Sequence, residues 1–477
     1  MKLNKHNWFW IFTLAVILIL IVSQLIQDGV FMDGMLYISV GKNLSDGIGT
    51  FWDQSFSKTS MFSYHEQPPL YGGLIALFYK VFGSSMYVER LFCFVCFSGV
   101  AIYLTKLWKA IFKDSETKQF TWLPVLFFTS IPVVFWAYTN HVEETVMTFF
   151  ALASVYYSYK ALFNSERIVL NLVFAGVFVF LSSLTKGVQG LFPIAAVGFY
   201  WIVSVKNYQF SKMLLHSLIL VGIPVLIYSL LFLISPEALE SFKTYFGIRF
   251  VNTFNNVGAT TGNRFELLIR LINELLPLAI LSLLVLILSK KQKVKDLILK
   301  DGTKRILWFV LIGLSGSMPL MVTLEQRGFY LVTALPYFAI AFALLLAPRL
   351  ANLFGKINES STGLKYFKGF SVVLLIASLV FVFTCIGKAK RDGKMLQDVY
   401  AFGKLIPRGE VVSVPTEMWN DWNFQTYMVR HNYISLEVND TTNNYFLIRK
   451  DLPASLVPSE YRPSAIKLET INLYTRK

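Results

Sequence analysis

Asp33 lies in the run GVFMDGMLYIS, flanked by Phe31, Met32, Met35 and Leu36. A carboxylate in that setting loses water with no structural return, so it is a candidate base or orienting group for a substrate hydroxyl. FSYHEQPPL adds His65 and Glu66, and TNHVEETVMTFF adds His141, Glu143 and Glu144. LSSLTKGVQG and LEQRGFYLV contribute Lys186, Glu325 and Arg327. Carboxylates of this kind take a proton from a nucleophile, and lysine or arginine stabilises charge developing on a leaving group. Plainer roles exist for each. Glu143 and Glu144 suit the positive end of a helix beginning near Thr145, and Lys186 and Arg327 suit the snorkelling ends of membrane helices. Glu89 and Arg90, adjacent in sequence, suit an ion pair with each other.

Asp33, His65, Glu66, His141, Glu143 and Glu144 carry enough oxygen and nitrogen donors for one divalent ion if they converge. Their spacing does not show that they converge, so no metal or other cofactor is expected, with a divalent ion as the alternative. Cys93 and Cys96 form a CxxC, but within the apolar LFCFVCF and without a second ligand pair, which is the pattern of packing; Cys385 falls in the last span.

These residues must be held by elements suited to lipid. The chain of 477 residues is 55% hydrophobic and only 15% charged, against about 25% charged in soluble domains. Apolar runs long enough to cross about 30 Å of hydrocarbon predict roughly eleven spans: 8–26, 88–105, 120–138, 145–162, 168–184, 190–205, 213–234, 271–289, 306–324, 329–347 and 369–387. The first run shows no cleavage site and reads as a retained span. The net charge of +15 comes from basic residues clustered in short loops. That is the pattern of cytoplasmic loops and not of a nucleic-acid surface. Loops 106–119, 206–212, 290–305 and 348–368 agree on one orientation, with GKAKRDGK (387–394) as the exception.

That orientation exports segment 27–87, segment 235–270 and the tail. Within 27–87, residues 33–44 and 68–83 are too short to span and suit helices lying in the interface. RFVNTFNNVGATTGN (249–263) reads as a loop. The tail changes composition: LQDVYAFGKLI has helical spacing, and VVSV, YISLEV and YFLIR are strand-like. The expected organisation is an all-α membrane domain over 1–387 and a small α/β domain over 388–477.

MDGMLYISVGKNLSDGIGTFW, FSYHEQPPL, VFGSSMYVERL, HVEETVMTFFALASVY, LTKG and RGFYLVTALPYFAIA, in this order, resemble the polyprenyl-phosphate-dependent glycosyltransferases of the GT-C superfamily. These include the protein O-mannosyltransferases and the lipid A aminoarabinose transferases. The resemblance covers about residues 8–350 and rests on the order of six individually weak motifs. It implies a GT-C-like bundle with a catalytic motif in the first external loop. It further implies a polyprenyl-phosphate sugar donor and an acceptor hydroxyl on lipid A, surface polysaccharide or protein. The setting it implies is a bacterial inner membrane with the active site and the C-terminal domain outside.

Asp33 matches the family's first-loop aspartate, whose paired glutamate is Gly34 here. Glu66 with Pro68 and Pro69 matches the segment in which some members carry lysine where Gln67 stands, so the phosphate contact passes to Lys186 or Arg327. Glu143 and Glu144 match a second acidic motif. Tyr37, His65, Gln67, Arg90, His141 and Tyr330 fall within the matching motifs as residues lining the site. Two other readings fit such a chain: a transporter or flippase for a lipid-linked sugar, and a relative that binds donor lipid without turnover. Transporters place charge near the bilayer midplane, whereas these spans are almost free of charge inside, which favours an enzyme.

Overall fold

A backbone in hydrocarbon must satisfy its own hydrogen bonds, so the apolar runs become helices. The computed structural model describes residues 4–254, 263–288, 302–323, 325–358 and 360–477. Among them, eight helices are long and apolar enough to cross a membrane, or nine if a pair bent by 78° forms one span. The chain is a multi-pass membrane protein, and helices occur at all eleven expected runs although they do not all count as separate spans by length and composition.

Particular sequence features account for the difference. Run 120–138 breaks into Trp122–Thr129 and Pro132–Thr139, the bent pair. Run 145–162 is the helix Glu144–Leu162, whose tyrosines, serines and threonines make it too polar for a lipid-facing span. It is buried along most of its length instead, as suits a helix among other helices. Runs 168–184 and 190–205 form one continuous apolar stretch, Ile168–Ser204. Within it the chain doubles back. Gly187 takes φ +62°, and a Cβ on Gly190 would stand 2.3 Å from the Ser182 carbonyl oxygen. The helix Ile168–Lys186 and the returning 3-10 segment Gly187–Ala195 therefore lie side by side.

The chain divides into two compact units. The first comprises Met1–Gln24, Cys93–Thr139 and Glu143–Thr384. At one end of this unit the Lys5 ammonium donates to the Phe354 carbonyl and Lys113 pairs with Glu166 at 3.3 Å. There too Phe163 meets Tyr200 at 4.8 Å between ring centroids. This is the end of the basic loops. Lys186 and Glu144 meet at the opposite end, since Glu144–Leu162 runs from Glu144 toward Phe163 over about 28 Å at 1.5 Å per residue. Residues 255–262 of the expected loop and 289–301 of the expected basic loop lie outside the described residues. The helix Pro236–Phe254 extends into the stretch read as loop 249–263.

The second unit comprises Leu25–Phe92, Asn140–Val142 and Cys385–Lys477. The two expected interfacial elements are the helices Met32–Ser45 and Leu70–Phe82. The tail builds a five-stranded sheet of order β2-β1-β3-β5-β4 from β1 (Val411–Val414), β2 (Ser435–Val438), β3 (Tyr445–Arg449), β4 (Tyr461–Pro463) and β5 (Ile471–Arg476). β1 runs parallel to β2 and β3, and β5 runs antiparallel to β3 and β4. The helix Trp422–Asn432, absent from the sequence reading, begins where the Asp421 side chain accepts from the Phe424 amide at 3.1 Å. It packs on Met32–Ser45: Ser39 Oγ donates to the Thr426 carbonyl, and the Tyr427 hydroxyl bonds both the amide and the carbonyl of Val30. The exceptional basic segment 387–394 has a structural use, because the Asp28 amide donates to Lys388 O and the Lys390 amide to Asp28 O.

Candidate active-site residues

In the second unit, Asp33 occupies the first turn of Met32–Ser45, half-buried. The Asn140 side chain sets the helix start by accepting from the Phe31 amide at 3.0 Å. Gly34 lies against the backbone of Asn140, where a Cβ would come within 1.8 Å of the carbonyl oxygen. No side chain fits at position 34 without a shift of that backbone.

Tyr37 follows one turn after Asp33, and its ring meets Tyr71 edge-on at 5.7 Å. The Tyr71 hydroxyl donates to the His141 carbonyl at 2.6 Å. His141 is fully buried in a left-handed conformation, φ +60°. Burial pushes its pKa well below the usual histidine range, and the charges of Arg90, Lys390 and Arg430 push the same way. Tyr37, Tyr71 and His141 are thus parts of one packed region beside the helix that carries Asp33. His65 Nε2 stands 3.2 Å from Asp53 Oδ1, and Glu66 and Gln67 are half-buried in the approach to Pro68 and Pro69. Gln54 fixes that approach by donating to the Pro69 carbonyl at 2.9 Å.

In the first unit, Lys186 is buried and bonded to Glu144 Oε1 at 2.5 Å, with Glu143 at 3.9 Å and the Tyr330 ring 5.0 Å beneath the ammonium. Glu143 takes the N-cap position of Glu144–Leu162 but makes no side-chain capping bond. Both acids are therefore oriented toward a lysine and not toward the helix end alone. Glu144 Oε2 is buried with no hydrogen-bond partner among the described residues. Arg327 differs: its side chain is 49% exposed and pairs with Glu325. Its carbonyl accepts from the Tyr330 amide at 3.1 Å.

The expected Glu89–Arg90 pair does not form. Neighbours on a helix point in different directions. Arg90 donates to the Leu25 carbonyl at 2.8 Å and meets Asp28 at 3.2 Å, while Glu89 pairs with Arg430 at 2.9 Å and accepts from the Tyr79 hydroxyl. Arg90 thus anchors the chain entering Met32–Ser45. Glu89 and Arg430 lie 341 residues apart in sequence, and no local pattern announces such a pair. The Asn140 contact was missed for a similar reason. Among the described residues, no group of three or more His, Cys, Asp or Glu side chains is arranged to hold a metal ion. All three cysteines are buried and none is in a disulfide.

Residues 66–232 match the family model for dolichyl-phosphate-mannose-protein mannosyltransferase. Among solved structures, ArnT from Cupriavidus metallidurans bound to undecaprenyl phosphate matches with a TM-score of 0.68 at 12% identity, over 98% of this chain and 98% of that one. The same protein in the apo state matches at 0.64 and 13% identity, over 98% and 97%. The Archaeoglobus fulgidus oligosaccharyltransferase in the apo form matches at 0.53 and 13% identity, over 93% of this chain and 69% of that one. No curated protein matches the chain by sequence. The chain has the GT-C glycosyltransferase fold its motifs predict, and the matched family and these structural neighbours are membrane glycosyltransferases.

Proposed function

We propose that this protein is an inverting glycosyltransferase that moves a monosaccharide from a polyprenyl phosphate, undecaprenyl phosphate in a bacterium, to an extracytoplasmic hydroxyl. The acceptor belongs to lipid A, a surface polysaccharide or a protein. The observation that carries the reading is the fold match over nearly the whole of both chains to a structure bound to undecaprenyl phosphate. The family match over 66–232 supports it.

In this reading the acceptor oxygen attacks the anomeric carbon as the bond from that carbon to the phosphate oxygen breaks. The polyprenyl phosphate leaves as an anion and needs no proton. Asp33 accepts the proton of the acceptor hydroxyl, a role that contributes typically about 10²–10⁴-fold. Lys186 and Arg327 supply positive charge for the leaving phosphate. Glu143 and Glu144 hold Lys186 in place, consistent with their contacts to its ammonium. Glu66 is a further acid assigned by its motif. The lipid tail of the donor stays in the bilayer, which accounts for a multi-pass protein doing this chemistry. Transfer of labelled sugar from a defined polyprenyl-phosphate donor to an envelope extract tests the proposal. No labelled product with any donor of this class would remove it.

A further inference from the structure

The second unit holds a polar cleft on the side of Met32–Ser45 turned away from Asp33. Lys42 follows Asp33 by two and a half turns at about 3.6 residues per turn, which puts the two on opposite faces of the helix. Lys42, Arg408, Arg430, His431, Tyr400 and Tyr433 help line a cleft of about 350 Å³, and no carboxylate belongs to its lining. The acids that balance these cations stand behind them. Lys42 and Arg408 share Asp46, and Arg430 donates to Glu89. Tyr400 donates to Asp28, which pairs with Arg90. Four cations over three acids leave one positive charge in excess around the cleft.

His431 adds an unmet hydrogen bond. Its Nε2 is buried and has no partner among the described residues. The ring is fixed by Tyr400, edge-on at 4.8 Å, and by Tyr427, stacked at 6.4 Å. Burial, reinforced by Arg430, holds its pKa down to about 3, so the imidazole is neutral at physiological pH. A neutral ring nitrogen suits a hydroxyl, and a buried polar atom left unpaired is costly to retain. Burial also disfavours the charge on Lys42, a cost that a bound anion offsets. The volume lies near the lower limit of small-molecule sites, about 300–1,000 Å³, which fits one sugar unit and not a chain.

We propose that this cleft binds a phosphorylated saccharide. The phosphate meets Lys42, Arg408 and Arg430, a sugar hydroxyl meets His431 Nε2, and the apolar face of the ring lies on Tyr400 or Tyr433. The site is separate from Asp33 and does not rest on the transferase reading, because binding is measured without turnover.

The test is calorimetric titration of the full-length protein in nanodiscs with glucose 6-phosphate, inorganic phosphate and glucose. Glucose 6-phosphate is expected to bind saturably, inorganic phosphate at least about tenfold more weakly, and glucose not measurably. Arg408→Gln and His431→Asn are each expected to weaken glucose 6-phosphate binding about tenfold or more, the scale of a hydrogen bond to a charged group. Arg408 is 59% exposed, so its variant keeps the test decisive if the His431 variant fails to fold. Binding unchanged in Arg408→Gln overturns the proposal. Inorganic phosphate binding as tightly as the sugar phosphate also overturns it. So does glucose 6-phosphate binding that disappears only when the nanodiscs contain phosphatidylglycerol, which would assign the cleft to a lipid headgroup.

Discussion

Gly34 and Asn140 are in backbone contact: a Cβ at position 34 would stand 1.8 Å from the Asn140 carbonyl oxygen. The helix that carries Asp33 is therefore seated against residues 140–142 without a side chain between them. Gly34→Ala must push the helix start away, and overpacking of this kind costs about 1–3 kcal/mol. Thermal unfolding in detergent should show that loss, with transfer reduced as well. Gly34→Glu, which restores the family's acidic pair, should be worse and not better. A glutamate variant of wild-type stability would contradict the contact.

Lys186 and Arg327 separate by burial. Lys186→Met leaves Glu144 buried without its partner, a change expected to destabilise by about 3–5 kcal/mol. Arg327→Ala removes an exposed pair and should cost about 0–1 kcal/mol. If both cations serve the donor phosphate, each variant should also lose about 1.5–3 kcal/mol of donor affinity. Stability and donor binding measured side by side decide this. Unchanged donor affinity in both variants would place the phosphate on other residues.

Two histidines give a sign for the pH dependence. Burial lowers the pKa of His141 and holds that of His431 down to about 3. Both are neutral in the folded protein, and the unfolded chain takes up their protons below about pH 6.5. Their contribution is fully present above that pH and is lost as pH falls from it toward the folded values. Each adds a slope of about 1.4 kcal/mol per pH unit. Between pH 6.5 and 5, His431→Asn should have a shallower fall in stability than wild type. An identical slope would mean that His431 is charged in the fold.

The basic loops gather at the end of the first unit opposite Lys186 and Glu144. The positive-inside rule predicts a cytoplasmic position for that end. Cysteine at Lys113, an exposed position, should be protected from a membrane-impermeant thiol reagent in intact cells. Cysteine at the exposed Ser459 should react. The reverse pattern would turn the candidate site toward the cytoplasm.

What could be read from the sequence was what depends on local composition. The helices Met32–Ser45 and Leu70–Phe82 and strands β1 to β3 follow from runs of apolar residues at the right length. The number of spans is not fixed where composition and path diverge. Tyrosines and serines make Glu144–Leu162 polar although it is packed within protein, and runs 168–184 and 190–205, read as two, form one apolar stretch that reverses at Gly187. Lys186 stood out as an unusual lysine, but its bond to Glu144 joins two helices and no spacing rule predicts it. Sequence alone offers no reason for Gly34 beside Asp33, and the Asn140 backbone supplies one. Glu89 looked like a partner for Arg90, and only the fold brings it to Arg430.

The central claim is that Asp33 is the carboxylate that engages the acceptor hydroxyl. Asp33→Asn keeps the volume and removes the proton acceptor and the charge. The measurement is single-turnover transfer from a defined polyprenyl-phosphate sugar, with donor binding followed in the same preparation. Loss of general-base assistance predicts a fall of at least about a hundredfold in the rate, with donor lipid still bound. Asp33→Glu should recover little, because a displacement of about 1 Å can itself cost about a hundredfold. Transfer by Asp33→Asn within a few-fold of wild type would contradict the account.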